Sequence, residues 1–223
     1  MDGFLLIDKP EDWTSFDAVA WLRGVTGTRR IGHAGTLDPF ATGLLIVGVN
    51  KATKRLALMQ ALEKEYVATI RFGATSTTED RTGEITPVTD AKVVTRAALD
   101  AVLPRFLGEQ DQIPPMYSAK RIGGRRLCDL ARKGETIERQ PSRVTIHSIE
   151  VLEDRLPEEV VIRVVCGSGT YIRTLGKDLG EALGTGAYLQ ELRRTRIGKF
   201  RVEDAVGPKE ITRENWEGRI VSQ

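Results

Sequence analysis

The chain is poor in the residues that build covalent or metal frameworks. Among its 223 residues there are two cysteines, Cys128 and Cys166, far apart and with no C-x-x-C spacing. A disulfide scaffold or redox pair is therefore not expected, and two reduced, buried thiols are. The two histidines, His33 and His147, cannot complete a zinc site with such cysteines. No apolar run approaches the ~18 residues of a membrane span. The N-terminus, Met1-Asp2-Gly3, has an acid and no basic stretch, so no secretory leader is expected and the cytoplasm is the expected compartment. The net charge is only +2 and by itself says little about partners.

Core-forming residues are sufficient. Apolar residues make up 40% and charged ones 29%, as in an ordinary globular protein. The charge is uneven along the chain. Arg193, Arg194, Arg196, Lys199 and Arg201 fall together with no acid among them, and Lys120 to Arg143 holds eight basic residues against three acidic ones. Such clusters suit a phosphate backbone, and equally a solvated basic face.

The most informative stretch is Gly32 to Gly43, GHAGTLDPFATG, with a single carboxylate, Asp38. Gly35 and Gly43 can adopt angles closed to other residues. Pro39 pushes Asp38 out of helical geometry. Leu44 to Val49 reads as a buried strand. A placed carboxylate is one reading; ordinary Asp-Pro turn chemistry is the other. A phosphate-binding P-loop is excluded because Leu44 follows Gly43. The Gly32-His33-Ala34-Gly35 match to a GXXG loop is too short to carry an RNA-binding assignment.

Elsewhere, Phe4 to Ile7 reads as a buried strand, Ser15 as an N-cap, and Phe16 to Val25 as a short helix ended by Gly27. Lys51 to Ala61 reads as a helix. Tyr66, Ala68, Ile70 and Phe72 share one strand face, which makes Tyr66 a core tyrosine by pattern alone. Arg96 to Leu103 reads as a helix capped by Thr95, and Arg125 to Lys133 as another. Arg143 to Leu152 and Glu159 to Cys166 read as a hairpin turning near Leu156-Pro157. Thr170 reads as the cap of a helix running to Leu183, with Arg173 in its first turn, where a cation opposes the helix dipole.

The 32–43 stretch resembles the catalytic motif of the TruB-type tRNA pseudouridine synthases, G-H-x-G-T-L-D-P-x-A-x-G. Six further segments resemble that family. They are Lys9-Pro10 with Thr14-Ser15, Lys64-x-Tyr66, Asp80 with Gly83, Gln112 to Ala119, Cys166 to Arg173, and Leu192 to Gly198. Glu11-Asp12 and Thr77 depart from its usual residues. The resemblance implies an α+β pseudouridine synthase fold, with a mixed, mostly antiparallel sheet, flanking helices and a central catalytic cleft. It implies a catalytic domain over 1–205, with a basic RNA-gripping insertion at about 114–143. A short tail over 206–223 and no PUA domain would complete the chain.

The activity implied is isomerisation of tRNA T-loop uridine 55, with no cofactor and no metal, by a monomer that touches the T arm and no membrane. Asp38 would be the catalytic carboxylate, Arg173 its partner, and Tyr66 the ring stacked on the base. His33, Lys64, Tyr171, Arg193, Arg194 and Arg196 would bind substrate. Lys9, Pro10, Gly35, Thr36, Leu37 and Asp80 would support the site. Alternatives are a synthase acting on another RNA such as rRNA, a glycosylase using the same carboxylate, and an RNA-binding module without activity.

Overall fold

A computed structural model describes residues 1–118, 120–135 and 137–221. Ala119, at the end of the Gln112 to Ala119 segment, and the last two residues of the 206–223 tail lie outside them. In chain order the elements are β1 (Gly3–Lys9), α1 (Ser15–Thr26), β2 (Ile31–His33), β3 (Thr42–Val49), α2 (Leu56–Ala61), β4 (Lys64–Phe72), β5 (Ala74–Ser76) and β6 (Ile85–Pro87). There follow α3 (Arg96–Val102), β7 (Gly108–Gln112), β8 (Arg121–Ile122), β9 (Arg125–Arg126), α4 (Leu127–Ala131), β10 (Ser142–Arg155) and β11 (Glu159–Cys166). The last are α5 (Ile172–Leu183), β12 (Ala187–Ile197) and β13 (Phe200–Arg201). The fold is α+β. Its sheet is mixed because β3 and β12 run parallel while the other registered pairs are antiparallel.

The chain forms two compact units, Met1–Tyr66 with Leu192–Gln223, and Val67–Glu191. Strands β4 and β12 contribute residues to both.

In the first unit, β1 lies along one edge of β3, from Gly3 opposite Val49 to Lys9 opposite Gly43. Strand β2 takes the other edge of β3 at its far end, and β12 meets its start. Enclosed on both edges, β3 is a nearly unbroken apolar run, as expected of a strand buried on both faces. One face packs Leu5, Ile7, Leu45 and Val47 against Ala18, Val19 and Leu22 of α1. The other packs Phe4, Leu6, Leu44 and Ile46 with Ala34, Met59, Ile197 and Phe200. Gly43 is required where β3 meets β12. Its φ is +104°, and a Cβ there would lie 2.3 Å from the Arg194 carbonyl oxygen.

The segment expected as a tail is part of this unit. Ile211 and Trp216 enter the α1-side core, and Val206 and Val221 hydrogen-bond to β1.

In the second unit β4, β11, β10 and β7 are neighbours in that order. The β10–β11 hairpin has two register shifts. Helix α5 buries Ile172, Leu175, Leu179 and Leu183, and ends at Gly184 in the left-handed region. Cys166 is 1% exposed, the small core residue expected of it.

Local differences from the sequence expectations have simple causes. Thr14, not Ser15, caps α1, in a reciprocal box with Asp17, because the Ser15 hydroxyl is used elsewhere. Asn50–Arg55 is a 3-10 turn, so only Leu56–Ala61 of the expected 51–61 helix is α-helical. Tyr171, not Thr170, occupies the N-cap of α5, and its side chain does not cap the helix; the Thr170 hydroxyl donates to the Gly167 carbonyl instead.

Candidate active site

In the first unit, the 32–43 stretch is clamped to its surroundings by side chains. The Lys9 ammonium is fully buried and donates to the carbonyls of Pro10, Trp13 and Pro39, the last at 3.1 Å. The Asp12 amide also donates to Pro39 O, at 2.9 Å. Asp12 has φ +64°, a conformation rarely adopted by non-glycine residues. Ser15 Oγ accepts from the Leu37 amide at 2.8 Å and reaches the Leu37 carbonyl. Arg194, 1% exposed, donates Nε to Leu44 O at 2.8 Å and Nη2 to Gly35 O at 3.2 Å. Gly35 itself has φ +89°. The Asp38 carbonyl closes a tight turn by accepting from the Ala41 amide.

The loop is thus held through its backbone on both sides of Asp38. Thr36 is exposed, Leu37 buried, and Asp38 half-buried. Burial brings the Lys9 pKa down to about 8; the Asp38 charge opposes that shift, and Arg194 adds to it. His33 is also held below the usual histidine range, first by burial and then by the Arg194 charge, so its imidazole is neutral at neutral pH. Its Nδ1 is buried with no hydrogen-bond partner among the described residues.

The other candidates in this unit are more committed than their motifs suggested. Tyr66 is 8% exposed. Lys64 is buried, and its ammonium donates to the carbonyls of Gln60 and Leu62. Arg193 forms a forked pair with Asp8, at 2.7 and 3.0 Å. Arg196 pairs with Glu63 at 2.8 Å and lies 3.7 Å from Glu65. Pro10 is exposed beside its Lys9 neighbour.

In the second unit a different cluster gathers around Arg173. The side chain is 3% exposed, which excludes an arginine reaching for water. Its guanidinium donates to Thr78 O at 2.9 Å and Tyr117 O at 2.6 Å, and lies 3.6 Å from the Asp80 carboxylate. Asp80 is equally buried. Its Oδ1 accepts from the Thr78 hydroxyl, the Thr82 amide and the Thr82 hydroxyl. Thr174 donates to Glu79 at 2.9 Å, and burial pushes the Glu79 carboxyl up. Asp178, one turn further along α5, is pushed up to about 6, again by burial.

Tyr171 is half-buried, and the buried Gln112 amide bridges it in both directions. Gln112 accepts from the Tyr171 amide at 2.8 Å and donates to its carbonyl at 2.9 Å. Sequence reasoning gave Gln112, Thr78 and Glu79 no role in the site, and read Ser15 only as an N-cap. Gln112 and Ser15 lie in the matching motifs, but their contacts cross 59 and 22 residues of chain.

Comparison with known proteins decides what these clusters belong to. The family model described as TruB family pseudouridylate synthase (N terminal domain) matches residues 23–172. The chain belongs to the TruB family of pseudouridylate synthases. A second model, described as a tRNA pseudouridylate synthase B C-terminal domain, matches 173–220, including most of the segment expected as a tail. Proteins called tRNA pseudouridine synthase B are similar over most of this chain. The one from Mycobacterium bovis is 45% identical over 91% of this chain and 69% of its own. The Thermobifida fusca protein is 46% identical over 96% and 75%. Among solved structures, a chain of a Cbf5-Nop10-Gar1 complex matches 92% of this chain with a TM-score of 0.69 and 33% identity. A chain of an H/ACA ribonucleoprotein bound to a substrate RNA containing 2′-deoxyuridine matches 99%, with a TM-score of 0.71 and 28% identity. This chain spans 52% and 56% of those two, about half their length. Among the described residues, no helix is long and apolar enough to cross a membrane.

Proposed function

We propose that this TruB family member converts uridine to pseudouridine in tRNA, at T-loop position 55, with Asp38 as the reacting carboxylate. The observation that carries the reading is the rigid setting of that carboxylate. Lys9, Ser15 and Arg194 hold the backbone of the 35–39 loop by hydrogen bonds on both sides of Asp38, so the place of the carboxylate is set in advance by its own main chain.

The reaction breaks the bond between N1 and C1′ of the nucleotide and forms one between C5 and C1′. The C5 proton leaves and N1 gains one, so the product is an isomer. A carboxylate suits this as nucleophile or as base. In this reading Arg173 serves the reaction as a cation whose guanidinium is preset by the Asp80 carboxylate. Tyr66 stacks on the target base, with His33 lining the space opened by the flipped nucleotide, and Tyr171 is read as a further substrate contact. The neutral imidazole of His33 suits contact with an uncharged base edge. Lys64, Arg193, Arg194 and Arg196, read from sequence as substrate contacts, are better supported as cations that hold the frame around Tyr66 and the 35–39 loop. The substrate is read as the T arm, and the enzyme as a cytoplasmic monomer.

The test is release of label from tRNA carrying tritium at uridine C5, with mapping of the modified position. Stoichiometric release at position 55 is expected. Release of free uracil would instead identify a glycosylase, and no release would leave an RNA-binding protein.

A further inference from the structure

The cations carried over from the catalytic and strand motifs, Lys9, Lys64, Arg173, Arg193, Arg194 and Arg196, are buried or paired with carboxylates, which leaves exposed basic residues outside those motifs to meet RNA charge. From Ala18 to Leu62 the sequence contains a single acid, Asp38, and six basic residues. Five of the six, Arg29, Arg30, Lys51, Lys54 and Arg55, are exposed. They come from two separate segments, before β2 and after β3, and the pairing of Ile31 with Val49 brings those segments together.

The junction is well hydrogen-bonded. The Asn50 amide donates to Arg30 O at 2.8 Å, Thr28 Oγ1 to Asn50 Oδ1 at 2.9 Å, and Arg30 Nε to Thr53 Oγ1 at 3.2 Å. Asn50 takes φ +53° to make the turn. The Arg55 guanidinium lies 5.6 Å from the centre of the Phe4 ring, which orients it without neutralising it. Among the described residues only Lys51 of the five has a carboxylate partner, Asp2 at 3.7 Å, and both side chains are well exposed. The patch also leads into the candidate active site. Three steps of extended strand, roughly 10 Å, lead from Arg30 to His33.

We infer that Arg29, Arg30, Lys51, Lys54 and Arg55 form a binding surface for the phosphodiester backbone of the RNA substrate, beside the nucleotide presented to Asp38. The inference rests on the RNA-modifying function proposed above and adds where the backbone is gripped. Exposed, mixed Arg and Lys side chains on a hydrogen-bonded turn suit phosphates and not base edges. Binding there is independent of base sequence and weakens with salt, because each neutralised phosphate releases counterion.

The test is fluorescence anisotropy of a labelled T-arm hairpin at several salt concentrations, with the full chain. Arg29→Gln combined with Lys54→Gln changes two exposed side chains that stand outside the hydrogen bonds of the junction. It is expected to weaken binding about tenfold at low salt and to reduce the slope of log K against log salt by about 1 to 2. Arg96→Gln with Arg155→Gln removes the same net charge from carboxylate-paired arginines, and is expected to leave the slope within experimental error. Equal losses in both doubles would mean that only net charge matters, and would overturn the inference. So would an unchanged affinity and slope in the first double, which would point to an acidic protein as the partner of the patch. Because the readout is binding, it is separable from turnover. A wild-type chain that binds the hairpin with the expected dependence on Arg29 and Lys54 but releases no tritium would sink the proposed function and leave the patch standing.

Discussion

Two loops in this protein are held in opposite ways. The 35–39 loop of the first unit is gripped by cations and a hydroxyl acting on its backbone: Lys9 on Pro39 O, Arg194 on Gly35 O, Ser15 on Leu37. The 76–82 loop of the second unit is organised from within by a carboxylate, Asp80, which gathers two threonine hydroxyls and an amide, and sits beside Arg173. In the first, the clamps act on main-chain groups, so the shape of the loop survives a change at its acid. In the second, the acid is itself the scaffold. A carboxylate whose oxygen is already taken up by three donors of its own loop is committed to holding that loop, which suits Asp80 to structure. A reacting acid belongs in the first kind of loop, whose shape is fixed independently of the protonation or bonding of the side chain.

The sharpest way to break that comparison is Asp38→Asn. It keeps the shape of the side chain and should leave the loop intact, so the unfolding midpoint is expected to stay within a few degrees. Turnover in the tritium assay is expected to fall by about 10⁴, on the order of 5 kcal/mol. A folded Asn variant that still turns over would remove Asp38 from the chemistry.

Arg194→Met tests the clamp. The substitution roughly preserves volume but leaves the Leu44 and Gly35 carbonyls without their donor, at about 1–3 kcal/mol for each buried group. Denaturant unfolding is expected to show a loss of about 3 kcal/mol. A loss below about 0.5 kcal/mol would mean the loop does not depend on the guanidinium.

Asp80→Asn tests the second loop. Asn retains an acceptor for the threonines but withdraws the charge beside Arg173. Turnover is expected to drop about 30-fold, on the order of 2 kcal/mol, mostly in kcat, with partial recovery in Asp80→Glu. A pure rise in KM would assign Asp80 to RNA binding.

The smallest effect is a pH slope from Lys9. Its folded pKa is about 8, against an unfolded value of 10.5. Between those values the unfolded chain binds more protons, so stability contributed by this group rises with pH through that window. Unfolding free energies at pH 7.5 and 9.5 are expected to differ by on the order of 2 kcal/mol more in the wild type than in Lys9→Met. Equal slopes would show that burial does not discharge this lysine.

Much of the molecule is legible from local sequence pattern. The strand from Leu44, the positive-φ glycines Gly35 and Gly43, the β10–β11 hairpin and the end of α1 at Gly27 all follow from it. The motif dense around Asp38 pointed to the family. The clustered arginines are harder to read. Arg193, Arg194 and Arg196 look alike in a row, yet one pairs with Asp8, one is buried against carbonyls and one pairs with Glu63. Their partners are more than 100 residues away, and alternation along β12 sends neighbours to opposite faces.

Sequence by itself determined which residues carry reactive groups and which positions must be glycine, because charge and backbone freedom are properties of single residues. It also set the acid-poor stretch around Asp38. Tertiary structure alone decided which cations were neutralised, because that depends on carboxylates and carbonyls brought in by strand pairing. It buried Lys9, Lys64, Arg173 and Arg194, gathered Arg29, Arg30 and Lys51 to Arg55 onto one turn, and folded Ile211 and Trp216 into the core beneath β1. A charge is written in the chain; whether it is spent on the fold or left for a ligand is settled only by what packs against it.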